Sequence, residues 1–177
     1  MASSLNCNAA YSTRYINLLA DIYIIAVSDT AISAIASQLK LKSKVVVHTA
    51  ASVSKDVLAI CSENFGVIYP LQTLVKEMSW PSSIPVLIDG NNETTKKDLI
   101  RFSLDWSDRV VTASDDERLK LHVAAVFVSN FPNYLLTIAE RYCKEEQLKF
   151  NLLYPLIEET IERLKSKVLL LFRQDQQ

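Results

Sequence analysis

Two apolar runs rich in β-branched residues lie on either side of a stretch with helical spacing. The runs occupy residues 20–27 and 45–50, and apolar residues recur between them at intervals of three and four. This pattern predicts a strand–helix–strand unit. Strands so uniformly apolar are typical of a parallel sheet with helices on both faces, in which ligands bind beyond the carboxyl ends of the strands. We therefore look for functional residues at positions 27–29 and 48–50.

Shorter apolar segments continue the alternation of strands and helices. Three further strands are predicted, at residues 67–70, 86–88 and 109–112. The spacing of apolar residues over positions 94–106 predicts a helix. Ser54 is a good N-cap, so we also expect a short helix over residues 55–63 that stops at Gly66.

From Ser114 onward the pattern is helical. Ser114 opens a capping box followed by acidic residues, and the predicted helix continues to about Tyr142. Because this helix is apolar almost all round, we expect it to be buried, in this chain or against a second copy. Pro132 removes one of its backbone hydrogen bonds, which predicts a kink near residues 129–130. A second helix is predicted from Asn151 to about Lys165.

Composition narrows the classes of function. The net charge is −1 with mixed signs, which disfavours nucleic-acid binding. The three cysteines are far apart and the two histidines lack ligands at metal-binding spacing, so we predict no metal site and expect the cysteines to be buried. The longest apolar run, residues 22–27, is too short to span a bilayer and no signal peptide is evident, so we expect a cytoplasmic protein without membrane contact.

Glycine is unusually scarce. The chain contains only Gly66 and Gly90. A G-x-G-x-x-G fingerprint and a P-loop are therefore both excluded, since each needs closely spaced glycines beside a helix N-terminus.

Three positions carry candidate chemistry, each with a structural alternative. Asp29 follows the first apolar strand, where a cofactor could bind, although an aspartate there can simply cap the next helix. His48 ends the second strand, although a lone buried histidine is more often a hydrogen-bonded core residue. His122 shares one stripe of the long helix with Ser129 and Asn133; these groups could line a polar cleft, bond to nearby backbone or pair across a dimer interface.

Several segments, in order, resemble one family. The succession A-D-I-Y-I-I-A-V-S-D-T-A-I, V-V-H-T-A, V-I-Y-P-L-Q-T, K-L-H-V-A-A-V-F-V-S-N-F and Y-P-L-I-E-E-T-I-E is similar to the Rossmann-like NADP oxidoreductases with an uncharacterised C-terminal domain, relatives of the deazaflavin-dependent NADP reductases. The resemblance implies an α/β fold: a partial Rossmann-type parallel sheet that binds NADP (residues 1–113), followed by an all-helical dimerisation domain (residues 114–177).

The resemblance also implies roles for individual residues. It implies that the complete parent transfers a hydride from NADP(H) to a small-molecule substrate, with the site between the two domains. The implied catalytic candidates are His48 or His122 as proton donor, with Ser129 and Asn130 orienting the substrate. The implied cofactor-binding residues are Val27, Ser28, Asp29, Thr49, Leu71, Gln72 and Thr73.

The chain departs from the family pattern at both ends. Family members begin with a strand and G-x-G-x-x-G, whereas residues 2–7 resemble the helix after the second strand. Residues 167–177 occupy the place where the family has a Q-T-G-P-like segment. Suitable codons for residues 172–176 would encode that segment in another reading frame. We therefore expect a frameshift from about Lys165. We therefore expect a chain truncated at both ends that binds NADP weakly or not at all. The alternative is a non-catalytic dimeric binding module.

Overall fold

The computed structural model describes residues 12–73 and 83–174 of the chain, with side chains up to residue 166. The chain divides into two compact units, Met1–Val126 and Phe127–Gln177. The first unit contains a five-stranded sheet, and the second is helical. The domain boundary predicted between residues 113 and 114 falls at the start of a helix and stays a prediction.

The sheet has its strands in the order β1-β2-β3-β4-β5. The strands are β1 (Ile22–Ile25), β2 (Lys42–His48), β3 (Ser62–Pro70), β4 (Val86–Gly90) and β5 (Val110–Thr112). Strands β1, β2 and β3 are parallel, β4 is antiparallel to β3, and β5 is parallel to β4. The predicted α/β fold with a Rossmann-type sheet is confirmed, and the reversal at β4 makes the sheet mostly rather than wholly parallel.

Two helices cover opposite faces of this sheet. The buried residues of helix α1 (Ile32–Gln38) pack in one apolar cluster with Val46. Leu99 of helix α2 (Glu93–Leu104) packs in a second cluster with Val47. Because consecutive residues of a strand point to opposite faces, the adjacent Val46 and Val47 place the two helices on the two sides of β2. A sheet covered on both faces explains why its strands are so uniformly apolar.

The prediction of a helix over residues 55–63, after β2, is wrong. Residues Lys55–Leu58 form one 3-10 turn, with Ser54 as its N-cap, and β3 already begins at Ser62. The hydroxyl of Ser62 lies 2.5 Å from the carbonyl oxygen of Lys44, so it fixes the start of β3 against β2. Gly66 is not a helix stop but lies inside β3, opposite Gly90 of β4.

The long helix from residue 115 changes its helix type next to the position where the kink was predicted. Helix α3 (Asp115–Ala125) begins with the predicted capping box at Ser114, and it is followed by a π-helical turn at Val126–Asn130. Helix α4 (Phe131–Glu145) then carries Pro132 in its first turn. Because proline lacks an N–H and cannot continue the preceding bonding pattern, a local change of helix type here follows from the sequence. Helix α5 (Tyr154–Gln174) completes the described residues.

Much of the apolar surface of the long helix is exposed in the single chain. Eight large side chains between 127 and 142 are exposed: Phe127, Val128, Phe131, Tyr134, Leu135, Leu136, Ile138 and Tyr142. The prediction that these residues are buried within one chain is therefore wrong. The alternative, burial against a second copy, stays a prediction. Within the described residues, one helix, Asp115–Glu145, is long and apolar enough to cross a membrane by length and composition alone, which is weak evidence. Cys61 and Cys143 are buried, as predicted, and Cys7 lies outside the described residues.

Candidate functional site at the strand ends

His48 ends β2 on the same face of the sheet as Val67 and Asp89, its register partners along β3 and β4. It is fully buried, and its Nδ1 accepts a hydrogen bond from the backbone N–H of Ala50 at 3.2 Å. The proton of the neutral ring therefore resides on the buried Nε2. Burial lowers the pKa of His48, an effect that the nearby Arg118 reinforces and a hydrogen bond with the Ser54 backbone opposes. This environment favours the alternative of a neutral core histidine.

Asp29 lies just beyond the carboxyl end of β1. It is the first residue of a 3-10 turn, Asp29–Ala31, whose N-cap is Ser28, so the alternative of Asp29 as a helix cap is wrong. The exposed Asp29 carboxylate instead accepts a hydrogen bond from the Ser52 hydroxyl, with Oγ and Oδ2 2.5 Å apart. This contact joins the end of β1 to the loop that follows β2.

Arg118 of helix α3 is held in the same region. Its side chain is 1% exposed; Nε donates to the carbonyl of Ala51 at 3.1 Å, and Nη2 donates to the carbonyl of Val53 at 2.7 Å. Nη2 also lies 2.9 Å from a carboxylate oxygen of Asp115. The guanidinium therefore joins the first turn of α3 to two carbonyls of the loop after β2.

A second ion pair extends this network to β4. Lys55 Nζ lies 2.8 Å from an Asp89 carboxylate oxygen and 4.0 Å from Asp115. Burial works against the charge on Lys55, but the hydrogen bond and charge of Asp89, with Asp115, outweigh it and raise the pKa of Lys55. Burial likewise opposes ionisation of Asp115, yet its hydrogen bonds with Ser54 and Arg118 lower its pKa. All four charges are thus compensated in pairs.

Tyr69 and His122 form the remaining polar contact. The Tyr69 hydroxyl oxygen, near the end of β3, lies 2.9 Å from Nδ1 of His122 on α3, and the rings meet edge to face. Both side chains are half-buried, and burial raises the pKa of Tyr69, so its hydroxyl stays protonated at neutral pH. This is a solvent-accessible pair of groups that can exchange a proton.

The other predicted residues are placed as follows. Val27 and Ser28 are exposed beyond β1, and Thr49 is half-buried after β2. Leu71, Gln72 and Thr73 follow β3, and the Leu71 N–H donates to the Pro85 carbonyl at 2.8 Å. Ser129 is half-buried and Asn130 exposed, both on the π-helical turn in the second unit.

The sequence predicted functional residues at the strand ends but not the residues that connect those ends. Tyr69, Ser52, Lys55, Asp115 and Arg118 were not predicted as site residues. Of these residues, only Tyr69 had a signal in the sequence. It begins the Tyr-Pro-Leu-Gln-Thr segment, in which the resemblance assigned residues 71–73 to the cofactor site. No group of three or more histidine, cysteine, aspartate or glutamate side chains that could hold a metal ion occurs within the described residues.

Both glycines of the chain lie in the sheet ladder. Gly66 pairs with Gly90, and a Cβ at either position would meet backbone atoms of its neighbours. Neither glycine can therefore form the turn that brings a backbone close to a pyrophosphate. The described residues therefore contain no glycine turn of the kind that holds a pyrophosphate.

Solved structures share this fold. A structure from Bacteroides fragilis named as a "putative NADP oxidoreductase" is 28% identical to the chain, with a TM-score of 0.85 over 93% of it. A 1-pyrroline-5-carboxylate reductase from Streptococcus pyogenes (12% identity, TM-score 0.67, 94% covered) and an imine reductase from Myxococcus stipitatus in complex with NADP+ (16%, 0.57, 94%) share the fold alone. The chain spans 65%, 64% and 63% of the lengths of these three structures.

Sequence comparisons agree with this result. Residues 84–170 match the model of a domain of unknown function, DUF2520, which extends over the helical C-terminal part. The comparison with curated protein sequences gives no match. The chain thus has the Rossmann-like fold of the NADP oxidoreductases, joined to a C-terminal part that is similar to DUF2520.

Proposed function

We propose that the chain is a member or fragment of an NADP-dependent oxidoreductase that transfers a hydride to a small-molecule substrate. One observation carries the proposal: polar groups from β1, β2, β3 and α3 converge at the carboxyl ends of the parallel strands, where such folds bind ligands. The likeness to the Bacteroides fragilis structure supports the same activity.

In this proposal the cofactor lies along the strand-end residues. Val27, Ser28 and Asp29 form one part of the edge, Thr49 the next, and residues 71–73 the last. Because the described residues offer no glycine turn for the pyrophosphate, NADP(H) binds weakly or not at all to this chain. When bound, the cofactor would supply the hydride.

We assign proton handling to His122 rather than His48. His48 is fully buried, with one ring nitrogen already bonded to Ala50, whereas His122 is half-buried and next to the Tyr69 hydroxyl. In this proposal the Tyr69 hydroxyl gives its proton to the reduced substrate, and the half-buried His122 ring passes a proton from solvent back to Tyr69. Ser129 and Asn130 remain the proposed groups that orient the substrate.

An NMR titration of the isotopically labelled chain with NADP+ tests the cofactor proposal. We expect no saturation at about 10 µM and progressive shifts towards about 10 mM, a range that corresponds to weak binding. The shifts should be confined to residues 27–29, 49–53 and 71–73, and Asp29→Ala should reduce them while Asp105→Ala, at the end of helix α2, leaves them unchanged. Shifts located elsewhere would contradict the site, absent shifts would favour the alternative of a non-catalytic binding module, and saturable binding tighter than about 10 µM would contradict the weak affinity.

We also propose a homodimer formed through the exposed apolar residues of α4. The same surface favours the second candidate function, a non-catalytic dimeric binding module. Burial of an aromatic side chain contributes about 1.5–3 kcal/mol, so several such residues on one helix can stabilise association. A cytoplasmic location without nucleic-acid or membrane partners completes the proposal.

Light scattering after size-exclusion chromatography tests the dimer. Phe131→Glu should convert a dimer into a monomer, because it places a charge in the apolar surface. Lys144→Glu, on the same helix but outside the apolar surface, should leave the dimer intact. A wild-type monomer at all concentrations would contradict the dimer, and a dimer without any NADP+ response would favour the binding module.

A further inference from the structure

Arg118 and Ser52 link three parts of the strand-end site. Arg118, on α3, donates to the carbonyls of Ala51 and Val53, one on each side of Ser52. The Ser52 hydroxyl in turn donates to the Asp29 carboxylate beyond β1. Two hydrogen bonds therefore hold the loop to α3, and the loop backbone connects them to the hydrogen bond between Ser52 and Asp29.

The Arg118 contacts restrict this loop more than a single bond would. The two loop carbonyls and the Asp115 carboxylate contact Nε and Nη2 of a guanidinium that is 1% exposed. The planar guanidinium presents its donors at fixed angles, so both carbonyls must keep their orientation. A lysine has the same charge but only one compact donor group, and it cannot reproduce this geometry.

We propose that Arg118 is a positioning residue that holds loop residues 51–53 so that Ser52 orients the Asp29 carboxylate. This inference rests on the proposed function, in which Asp29 borders the cofactor. Because Arg118 is buried, we place it outside direct contact with cofactor and substrate. Its effect on Asp29 passes through Ser52.

Amide hydrogen exchange of the cofactor-free chain tests the proposal without requiring activity. In Arg118→Lys we expect exchange of the hydrogen-bonded amides within residues 50–54 and 28–31, those of Ala50 and Ala31, to rise about tenfold, while strands β3 and β4 keep their protection. Ser52→Ala, at an exposed position, should raise exchange at 28–31 but much less at 50–54, because the Arg118 contacts remain. Arg101→Lys, at an exposed site on α2, is the matched control and should change neither segment.

Each other outcome contradicts the proposal. If Arg118→Lys raises exchange equally throughout the sheet, Arg118 has only a general stabilising role. If residues 50–54 respond but 28–31 do not, or if Ser52→Ala leaves 28–31 unchanged, the link to Asp29 is absent. If Arg118→Lys fails to fold, the Ser52→Ala result decides by itself. The NADP+ titration is a separate measurement, so failure of the proposed function can be distinguished from failure of this inference.

Discussion

Gly66 is the position where one added methyl group should damage the sheet most. A Cβ built there lies 2.2 Å from the Asp89 carbonyl oxygen and 2.8 Å from Cδ1 of Leu99. Ordinary contact begins at 3.4 Å, so the backbone of β4 would have to retreat by about 1 Å. Gly66→Ala is therefore a test of how closely β3 and β4 approach each other.

The expected cost has two parts. Overpacking a filled core typically costs about 1–3 kcal/mol. Separation of β4 from β3 also weakens ladder hydrogen bonds near the Gly66–Gly90 pair, each with a net value of about 0.5–1.5 kcal/mol. We therefore expect Gly66→Ala to lower the free energy of unfolding by about 3 kcal/mol or more.

Urea unfolding followed by circular dichroism measures this change, and Leu99→Val separates the two clashes. That substitution removes the Leu99 Cδ1 but leaves the Asp89 backbone in place. If the backbone clash dominates, the effects of Gly66→Ala and Leu99→Val should add within about 0.5 kcal/mol. A loss below about 1 kcal/mol for Gly66→Ala alone would refute the reasoning, because it would mean that β4 moves freely.

Three further predictions concern single side chains. Ser114→Ala removes the capping-box acceptor for the Glu117 N–H and should lower the unfolding free energy by about 1 kcal/mol in urea titrations, whereas Ser114→Thr should lower it by less. Because burial depresses the His48 pKa below its ordinary 6.5, the unfolded state binds more protons than the folded state as the pH falls below that value. The free energy of unfolding of the wild type should therefore decrease at low pH, and that of His48→Gln should decrease less. Equal pH dependence in the two proteins would contradict this prediction. Tyr69→Phe should cost about 1 kcal/mol and change the nitrogen chemical shifts of the His122 ring in NMR spectra; unchanged shifts would show that the 2.9 Å contact is not a hydrogen bond in solution.

The fold followed from the sequence where apolar runs were unambiguous. The β-branched residues of β1 and β2 predicted parallel strands, and the capping box at Ser114 placed the start of α3. The start of β3 was missed because Ser54 and Gly66 match helix start and stop signals, while pairing with β2 decides the local structure. The antiparallel direction of β4 depends on the connection after β3, which carries no periodic signal.

The site was less predictable than the fold. Strand ends are recognisable in a sequence, so Asp29 and His48 could be nominated from position alone. Arg118 lies 67 and 65 residues from the carbonyls it binds, and an arginine at the start of a helix resembles an ordinary surface residue. Its role depends on a tertiary contact that neither spacing nor composition encodes.

Stability alone does not require an arginine at this place. A buried ion pair can often be replaced by apolar side chains of similar volume at little cost. Here, however, an apolar residue at position 118 would leave the Ala51 and Val53 carbonyls without the donors they now have. Burial of the guanidinium thus costs desolvation free energy, while its hydrogen bonds fix the geometry of the loop. Since that loop also provides the Ser52 hydroxyl that donates to the Asp29 carboxylate, the geometric contribution of Arg118 acts at the edge where the cofactor is proposed to bind.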